Sequence, residues 1–258
     1  MTDAPGTFPE VAATSALDNL TGERVVSETA AEVADAVASW IAAKALRACG
    51  DHGGFSIALS GGSTPRLLNE MLAGPDWRDR IDWSCWNVYF ADERACAPDD
   101  PASNYHFAET TLLSRVPIDP GRVHRMRAER ADLDAAAAEY SDLLATSLPS
   151  GNGGAPRLDM ILLGLGENGH TASLFPGTPA LDVTDRWATR GLADYAPFDR
   201  ITLTYPAINA AAAVGFMVTG AAKHAALAAT ARGEVPASRV RPTDGTLAWF
   251  LDAAASAG

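Results

Sequence analysis

The most constraining feature of the sequence is a series of short apolar runs, each followed by a glycine-rich or polar loop. The runs are FSIALS, WNVYFADE, LDMILLGLG and AVGFMVTG, and segments with helical periodicity separate them. Strands that are apolar throughout occur in parallel sheets covered by helices. The sequence therefore predicts an α/β fold of Rossmann-like type, with a mostly parallel sheet and helices on both faces. In such sheets ligands bind beyond the carboxyl ends of the strands, so the loops there are the candidate functional segments.

The chain of 258 residues is long enough for one large α/β domain. Residues 1–22 are expected to form a loosely ordered tail, and residues 23–258 a single domain. Within that domain, RVVS is predicted as the first strand, and the helix that follows it is expected to end near Gly50. The segments RWATRG, RITLTY and TLAWFL are expected to supply further strands.

Composition and charge exclude several classes of protein. The net charge of −12 argues against a nucleic-acid surface, which needs clustered lysine and arginine. The first residues lack the basic and apolar regions of a signal peptide, and no stretch is long and apolar enough to span a bilayer. We expect a cytoplasmic protein with no membrane or nucleic-acid partner, and its oligomeric state is left open.

The three cysteines, Cys49, Cys85 and Cys96, show no spacing typical of a disulfide framework. Cys85 lies in the apolar segment WSCWNVYF and is expected to be a buried thiol. This pattern fits a reducing cytosol.

The segment LDMILLGLGENGHTASLFPG contains the pattern G-x-G-x-x-G at residues 164–169. As a dinucleotide fingerprint, this pattern needs a long crossover helix after its third glycine and an acidic residue closing the next strand. Here the short helix expected after Gly169 meets Pro176 within about two turns, and the strand RWATRG ends without an acidic residue. The context excludes a nicotinamide cofactor, and no other cofactor is expected. The glycines instead predict a tight turn that places His170 at the carboxyl end of a strand.

The loop SGGSTP, residues 60–65, has the composition of an anion site. Gly61 and Gly62 allow the backbone to approach a ligand closely. Ser63, Thr64 and the start of the next helix offer donors to a phosphate. Thr64 is expected to be the N-cap of that helix, since a proline follows it. A purely structural tight turn is the alternative.

Two further loops carry polar groups at strand ends. ADER contains Asp92 and Arg94, and Asn104 lies beyond it; a surface ion pair is the alternative there. TGAAKH contains Lys223, one of only two lysines in the chain. Arg200 begins RITLTY and is a candidate second cation, although an arginine at a strand start is more often solvated. The five histidines show no metal-ligand spacing, so no metal site is expected.

Together, SGGSTP, ADERACAPDDPASNY, LLGLGENGHTASLFPG, RITLTYPAINAA and TGAAK resemble the glucosamine-6-phosphate isomerase/6-phosphogluconolactonase superfamily. The resemblance extends from about Arg24 to Leu251. GHTASLFPG is typical of the lactonases, whereas the deaminases carry a GHIAFNEP-like continuation with a glutamate where Phe175 stands here. The family usually has Asp-Gly-His, and this chain has Asn168 in place of the aspartate. An asparagine can hydrogen-bond but supplies no charge to raise the basicity of a nearby imidazole.

The resemblance implies hydrolysis of 6-phospho-D-glucono-1,5-lactone to 6-phosphogluconate in the oxidative pentose phosphate pathway, without a cofactor. His170 would be the general base for water, with Asp92 the next candidate, and Asp92 and Asn104 would orient the sugar hydroxyls. The residues expected to bind the phosphate are Gly61, Gly62, Ser63, Thr64, Arg94, Arg200 and Lys223. The alternatives are a sugar-phosphate isomerase or deaminase, and a non-enzymatic sugar-phosphate sensor. Closure of the loop at residues 95–103 over substrate is left open.

Overall fold

The structure, a computed structural model, describes residues 17–257. Its strands are β1 (Glu23–Ser27), β2 (Phe55–Leu59), β3 (Trp86–Phe90), β4 (Asp92–Arg94), β5 (Met160–Leu163), β6 (Ala188–Leu192), β7 (Asp199–Leu203), β8 (Ala213–Val218) and β9 (Thr246–Asp252). Its α-helices are α1 (Ala30–His52), α2 (Ser63–Leu72), α3 (Pro75–Arg78), α4 (Asn104–Thr111), α5 (Leu133–Ser147), α6 (Tyr205–Asn209), α7 (His224–Ala231) and α8 (Ala253–Ser256).

The main sheet has six strands in the order β1-β9-β8-β5-β2-β3, and every neighbouring pair is parallel. Strands β2, β5 and β8 are buried along their whole length. Their continuous apolar sequences reflect this burial, because helices and neighbouring strands cover both faces. The prediction of an α/β fold with a mostly parallel sheet is confirmed.

A second, antiparallel sheet of three strands, in the order β4-β7-β6, lies apart from the main sheet. RWATRG and RITLTY supply strands as expected, but β6 and β7 belong to this antiparallel sheet and not to the main one. Residues 193–198 are too few for a crossover connection, so the two strands form a hairpin. WNVYFADE is likewise not one strand, because Ala91 ends the pairing with β2 and turns the chain into β4. The Ala91 N–H donates to Leu59 O in one sheet, and its carbonyl accepts from Leu203 N in the other.

Helix α1 begins with a capping box between Thr29 and Glu32 and ends at Gly53, whose φ of 77° closes it. It therefore extends past the predicted end near Gly50. Trp40 on this helix packs against β8 at Gly215, where a Cβ atom would meet the indole ring at 2.6 Å. This close approach seats the alanine-rich helix on the sheet.

The chain just before β1 is packed. Leu17 and Leu20 are buried in the core, and the Trp249 indole donates a 2.8 Å hydrogen bond to Thr21 O. The tail expected over residues 1–22 therefore does not include residues 17–22, and residues 1–16 lie outside the part described. Within residues 17–257, no helix combines the length and apolar character needed to cross a membrane.

Cys49 and Cys85 form a disulfide, so the expectation of a free Cys85 thiol is wrong. Cys49 lies in the last turns of α1 and Cys85 directly precedes β3, and their Cα atoms are 6.0 Å apart. The spacing along the chain does not reveal the pair, because only packing brings the end of α1 beside the start of β3. Cys96 is a free cysteine.

Candidate active site

A cavity of about 230 Å³ lies at the carboxyl ends of the central strands β2, β5 and β8, beside β4. Four of the loops singled out from the sequence converge there. The predicted site residues that line it are Gly61, Gly62, Thr64, Asp92, Arg94, His170 and Lys223. Asn104 and Arg200 are not part of this lining, although both contact residues that are. Ser63 begins α2, and its side chain lies outside the described part of the structure.

The glycine-rich segment after β5 forms a tight turn. Gly166 N donates to His170 O at 2.9 Å, and Gly169 N donates to Gly166 O at 2.9 Å. Gly169 has a φ of 77°, in the left-handed region that favours glycine. A Cβ atom at Gly166 would overlap the His170 ring. The predicted tight turn before His170 is confirmed. The short helix expected after Gly169 is wrong, because the chain there continues in further turns.

The imidazole of His170 is fixed by two neighbours. Its Nδ1 lies 2.6 Å from Asn168 Oδ1, and Phe175 stacks on the ring at a centroid distance of 4.0 Å. Phe175 therefore supports the plane of the ring. Burial lowers the pKa of His170 below its ordinary 6.5 despite opposing effects of the Asp92 and Asp194 carboxylates. A neutral imidazole at pH 7 can accept a proton.

Asp92 is 7% exposed, and its carboxylate is held on both oxygens. Ser173 Oγ donates to Oδ2 at 2.6 Å, and Asn104 Nδ2 donates to Oδ1 at 3.0 Å and to the Asp92 carbonyl at 2.9 Å. A Cβ atom at Gly61 would overlap Asn104 Oδ1, so a side chain there would displace the amide. Asn104 thus positions Asp92 from behind the cavity wall. Ser173 lies inside the GHTASLFPG motif but was not singled out from the sequence as a site residue.

Two arginines face each other across β4 and β7. Arg94 pairs directly with Arg200 in the antiparallel register, and Arg200 is 1% exposed. The solvated position considered for Arg200 is therefore wrong. Arg200 Nη1 and Nη2 and Arg94 Nε are buried without a hydrogen-bond partner among residues 17–257. Burial and the neighbouring Arg94 lower the pKa of Arg200.

This arginine pair is unfavourable by itself, because like charges lie directly opposite each other and buried donors are left unpaired. An anion bound in the adjacent cavity, which Arg94 lines, would offset the repulsion between the two positive charges. The Arg200 guanidinium carbon also lies 5.2 Å from the centre of the Tyr195 ring, which lines the cavity. The arrangement is suited to a phosphate or carboxylate group.

Glu93 organises the loop that follows β4, a role the sequence did not indicate. Its buried carboxylate accepts hydrogen bonds from the backbone N–H groups of Arg94, Asn104 and Tyr105 and from Ser103 Oγ, at 2.7–3.0 Å. Burial nevertheless raises the pKa of Glu93. These bonds anchor both ends of residues 95–103 and orient the start of α4, which carries Asn104.

The loops after β2 and β8 form another part of the cavity wall. Thr64 Oγ1 and Thr219 Oγ1 lie 2.9 Å apart and link the two loops. The Thr64 side chain is not the N-cap of α2, which begins one residue earlier, after Gly62. Lys223 adds a positive charge beside these hydroxyls. Among residues 17–257, no group of three or more His, Cys, Asp or Glu side chains is placed to hold a metal ion.

Comparison with known proteins is consistent with this geometry. Residues 28–249 match the family described as glucosamine-6-phosphate isomerases/6-phosphogluconolactonase. A 6-phosphogluconolactonase of Nostoc sp. is 44% identical over 210 residues, covering 80% of this chain and 85% of that protein. One from Synechocystis sp. is 41% identical over 217 residues, covering 82% and 88%. The solved structure of 6-phosphogluconolactonase from Trypanosoma brucei matches with a TM-score of 0.80 at 27% identity, covering 92% of this chain and 98% of that one.

Proposed function

Because the chain belongs to the glucosamine-6-phosphate isomerase/6-phosphogluconolactonase family, we propose that it hydrolyses 6-phospho-D-glucono-1,5-lactone to 6-phosphogluconate. This is a step of the oxidative pentose phosphate pathway, and the curated relatives at 44% and 41% identity carry the name 6-phosphogluconolactonase. Hydrolysis of a lactone needs a base for water, donors for the oxyanion and, for this substrate, a phosphate site. The cavity offers candidates for each.

The observation that best supports the reaction is the hydrogen bond between His170 Nδ1 and Asn168 Oδ1. An amide oxygen only accepts hydrogen bonds, so the proton of the neutral imidazole lies on Nδ1. The lone pair is then on Nε2, which takes a proton from the water that attacks the lactone carbonyl. The imidazolium returns this proton to the ring oxygen as the C–O bond breaks. The chain contains no G-x-S-x-G motif, which favours direct attack by water over an acyl-enzyme.

The phosphate of the substrate binds among the cations and the glycine-rich loop. Arg94, Arg200 and Lys223 supply charge, and the unpaired donors of the two arginines are the strongest reason to place an anion there. The other groups of this subsite are Gly61, Gly62, Ser63 and Thr64. Backbone N–H groups of the loops, or an arginine, stabilise the oxyanion of the tetrahedral intermediate.

Asp92 faces the cavity with its carboxylate already held by Ser173 and Asn104. A carboxylate fixed in this way accepts hydrogen bonds from sugar hydroxyls without a large loss of side-chain entropy. Asn104 contributes through Asp92 rather than by direct contact.

An isomerase or deaminase on the same fold is less well supported. A ring-opening reaction of that kind uses a glutamate in the family pattern, and Phe175 stands at this position, stacked on His170. A phenyl ring cannot transfer a proton.

The same proposal includes a cytoplasmic location and the absence of nucleic-acid and membrane partners, supported by the net charge of −12. The substrate is a small sugar phosphate. Neither Cys49 nor Cys85 lines the cavity, so the reaction as proposed uses neither sulfur, whether the two are bridged or reduced.

The test follows the opening of freshly prepared 6-phosphogluconolactone, coupled to the dehydrogenase that consumes its product. The rate above the enzyme-free control is compared for the unaltered protein, His170→Ala and the control His106→Ala, which changes a histidine outside the cavity lining. We expect the acceleration to fall about 10²–10⁴-fold in His170→Ala and to survive in His106→Ala. Acceleration that survives loss of His170 would move the base to Asp92. If the unaltered protein binds 6-phosphogluconate but does not accelerate lactone opening, a non-enzymatic sugar-phosphate sensor would be favoured.

A further inference from the structure

A chain of three side chains leads from the imidazole to the protein surface. His170 Nδ1 lies 2.6 Å from Asn168 Oδ1, and Asn168 Nδ2 lies 3.0 Å from Asp194 Oδ2. Asn168 belongs to the turn after β5, whereas Asp194 belongs to the loop between β6 and β7. That loop is closed by a 2.7 Å hydrogen bond from Ala193 N to Phe198 O. Two segments from different sheets therefore meet at one amide.

The contacts of Asn168 determine which way its amide points. A carboxylate only accepts hydrogen bonds, so the amide nitrogen must face Asp194. The amide oxygen then faces His170, where it also accepts from the His170 backbone N–H at 3.1 Å. Without Asp194, a half-turn of the amide would place its nitrogen beside Nδ1. That orientation favours the tautomer with the proton on Nε2, which cannot act as the base.

We propose that Asp194 is a positioning residue for lactone hydrolysis: it orients the amide of Asn168, which in turn holds His170 with its proton on Nδ1 and its lone pair on Nε2. The catalytic part of this inference rests on the proposed function, whereas the orientation of His170 does not. The carboxylate that the family pattern places next to the histidine is here one side chain further away. Asp194 would thus supply in this chain the negative charge that Asn168 itself lacks.

Other charged and aromatic groups also act on the imidazole, and the test must separate them from Asp194. The Asp92 carboxylate favours the imidazolium, as Asp194 does, while Lys223 and Arg200 disfavour it. The rings of Phe175 and Tyr195 pack near it, at centroid distances of 4.0 and 6.4 Å. Of these neighbours, Asp194 is the one hydrogen-bonded to Asn168.

The first measurement needs no substrate. The tautomer of His170 is read by nuclear magnetic resonance on protein labelled with ¹⁵N-histidine, and the His170 signals are assigned by their loss in His170→Gln. We expect the Nδ1–H tautomer in the unaltered protein and a clear population of the Nε2–H tautomer in Asp194→Ala. Asp194→Asn keeps an acceptor for Asn168 Nδ2 and should retain the Nδ1–H form. An Nε2–H tautomer in the unaltered protein, or identical spectra in Asp194→Ala, would overturn the proposal.

The second measurement is kinetic. We expect kcat of Asp194→Ala to fall about 10-fold, as for loss of other groups that orient a functional histidine, with KM changed less than twofold. The double variant Asn168→Asp/Asp194→Asn swaps the amide and the carboxylate. The amide of residue 194 then donates to the carboxylate of residue 168, which still accepts from His170, so kcat should be restored. Glu167→Gln removes an equal charge from an exposed residue next to Asn168 and serves as the control. An unchanged kcat in Asp194→Ala, or a loss as large in Glu167→Gln, would refute the positioning role.

The two measurements distinguish this inference from the proposed function. If the unaltered protein does not accelerate lactone opening but Asp194→Ala changes the tautomer, the proposed function fails and the orientation by Asp194 stands. If the lactone is opened rapidly and Asp194→Ala changes neither tautomer nor kcat, the inference fails alone.

Discussion

At the scale of single residues, the site is built from charged groups whose surroundings are not those of an ordinary surface. His170 is partly buried, Asp92 is held on both oxygens, and Arg200 is almost completely buried with unpaired donors. The unpaired donors of Arg200 are costly in an empty site and become favourable once a polar ligand pairs with them. The residues are therefore best tested by measurements that respond to pH and to bound anions.

The pH dependence should follow His170. Burial lowers its pKa below 6.5, so at pH 7 the imidazole is mostly neutral and able to act as a base. We expect kcat/KM to decline along a one-proton limb whose midpoint lies below pH 6.5. Initial rates between about pH 5 and 8, each corrected for spontaneous opening, would show this. A limb centred at or above 6.5 would contradict it.

Arg200 should matter more for binding than for folding. In Arg200→Met we expect KM to rise about 10–100-fold. A rise of this size corresponds to the loss of one charge-assisted hydrogen bond to the substrate, which contributes about 1.5–3 kcal/mol to binding. Stability should stay equal or rise, because a buried positive charge with unpaired Nη donors is removed. Steady-state kinetics and thermal unfolding with and without inorganic phosphate are the measurements. The control is Arg115→Met, at an exposed arginine; a large fall in Tm of Arg200→Met alone would indicate a structural role instead.

At the scale of elements, the turn after β5 and the loop after β4 position the site. The turn needs Gly166 because the His170 ring occupies the space where a Cβ would lie. The loop needs Glu93, since one carboxylate accepts four hydrogen bonds from its two ends. Neither element is stiff through secondary structure, so specific polar contacts and close approaches hold each in place.

Gly166→Ala should therefore remove activity while leaving the fold intact. The added Cβ overlaps the imidazole, a side chain that can rotate away, rather than backbone. We expect a loss of kcat comparable to that of His170→Ala, with thermal unfolding little changed. The control is Gly50→Ala in the exposed end of α1, where a Cβ meets nothing within 4 Å and should stabilise the helix by about 0.5–1 kcal/mol. Full activity in Gly166→Ala would show that the imidazole position is not critical.

At the scale of the whole molecule, the disulfide ties the end of α1 to the edge strand β3. Cys49 and Cys85 are 36 residues apart, and closing a loop of that size contributes about 2–4 kcal/mol by restricting the unfolded chain. Burial raises the pKa of the remaining thiol, Cys96, to about 11, with a further contribution from Glu93. Cys96 therefore stays protonated near neutral pH and competes little in thiol exchange.

Urea unfolding with and without reductant measures this contribution. We expect the oxidised protein to unfold at a higher urea concentration by an amount matching about 2–4 kcal/mol. Cys85→Ser should unfold like the reduced protein in both conditions. Equal midpoints for the oxidised and reduced protein would show that the bridge does not stabilise the fold.

The sequence by itself determined the α/β class, the mostly parallel sheet and the loops that meet at its carboxyl edge. These follow from hydrophobic runs, helix periodicity and glycine positions, which are properties of neighbouring residues. The tight turn that presents His170, and the polar groups of the loops SGGSTP, ADER and TGAAKH, were found in the same way.

Only the tertiary structure decided how distant segments meet. It placed the β6–β7 hairpin beside β4 in a separate sheet, set Arg94 against Arg200, joined Cys49 to Cys85 and brought Asp194 behind Asn168. Each of these contacts joins residues that are distant in the sequence, or depends on which strand still has an unpaired edge after the main sheet has formed. Such pairings are selected by the packing of the whole chain, because the burial and hydrogen bonding that favour them exist only once the other elements are in place.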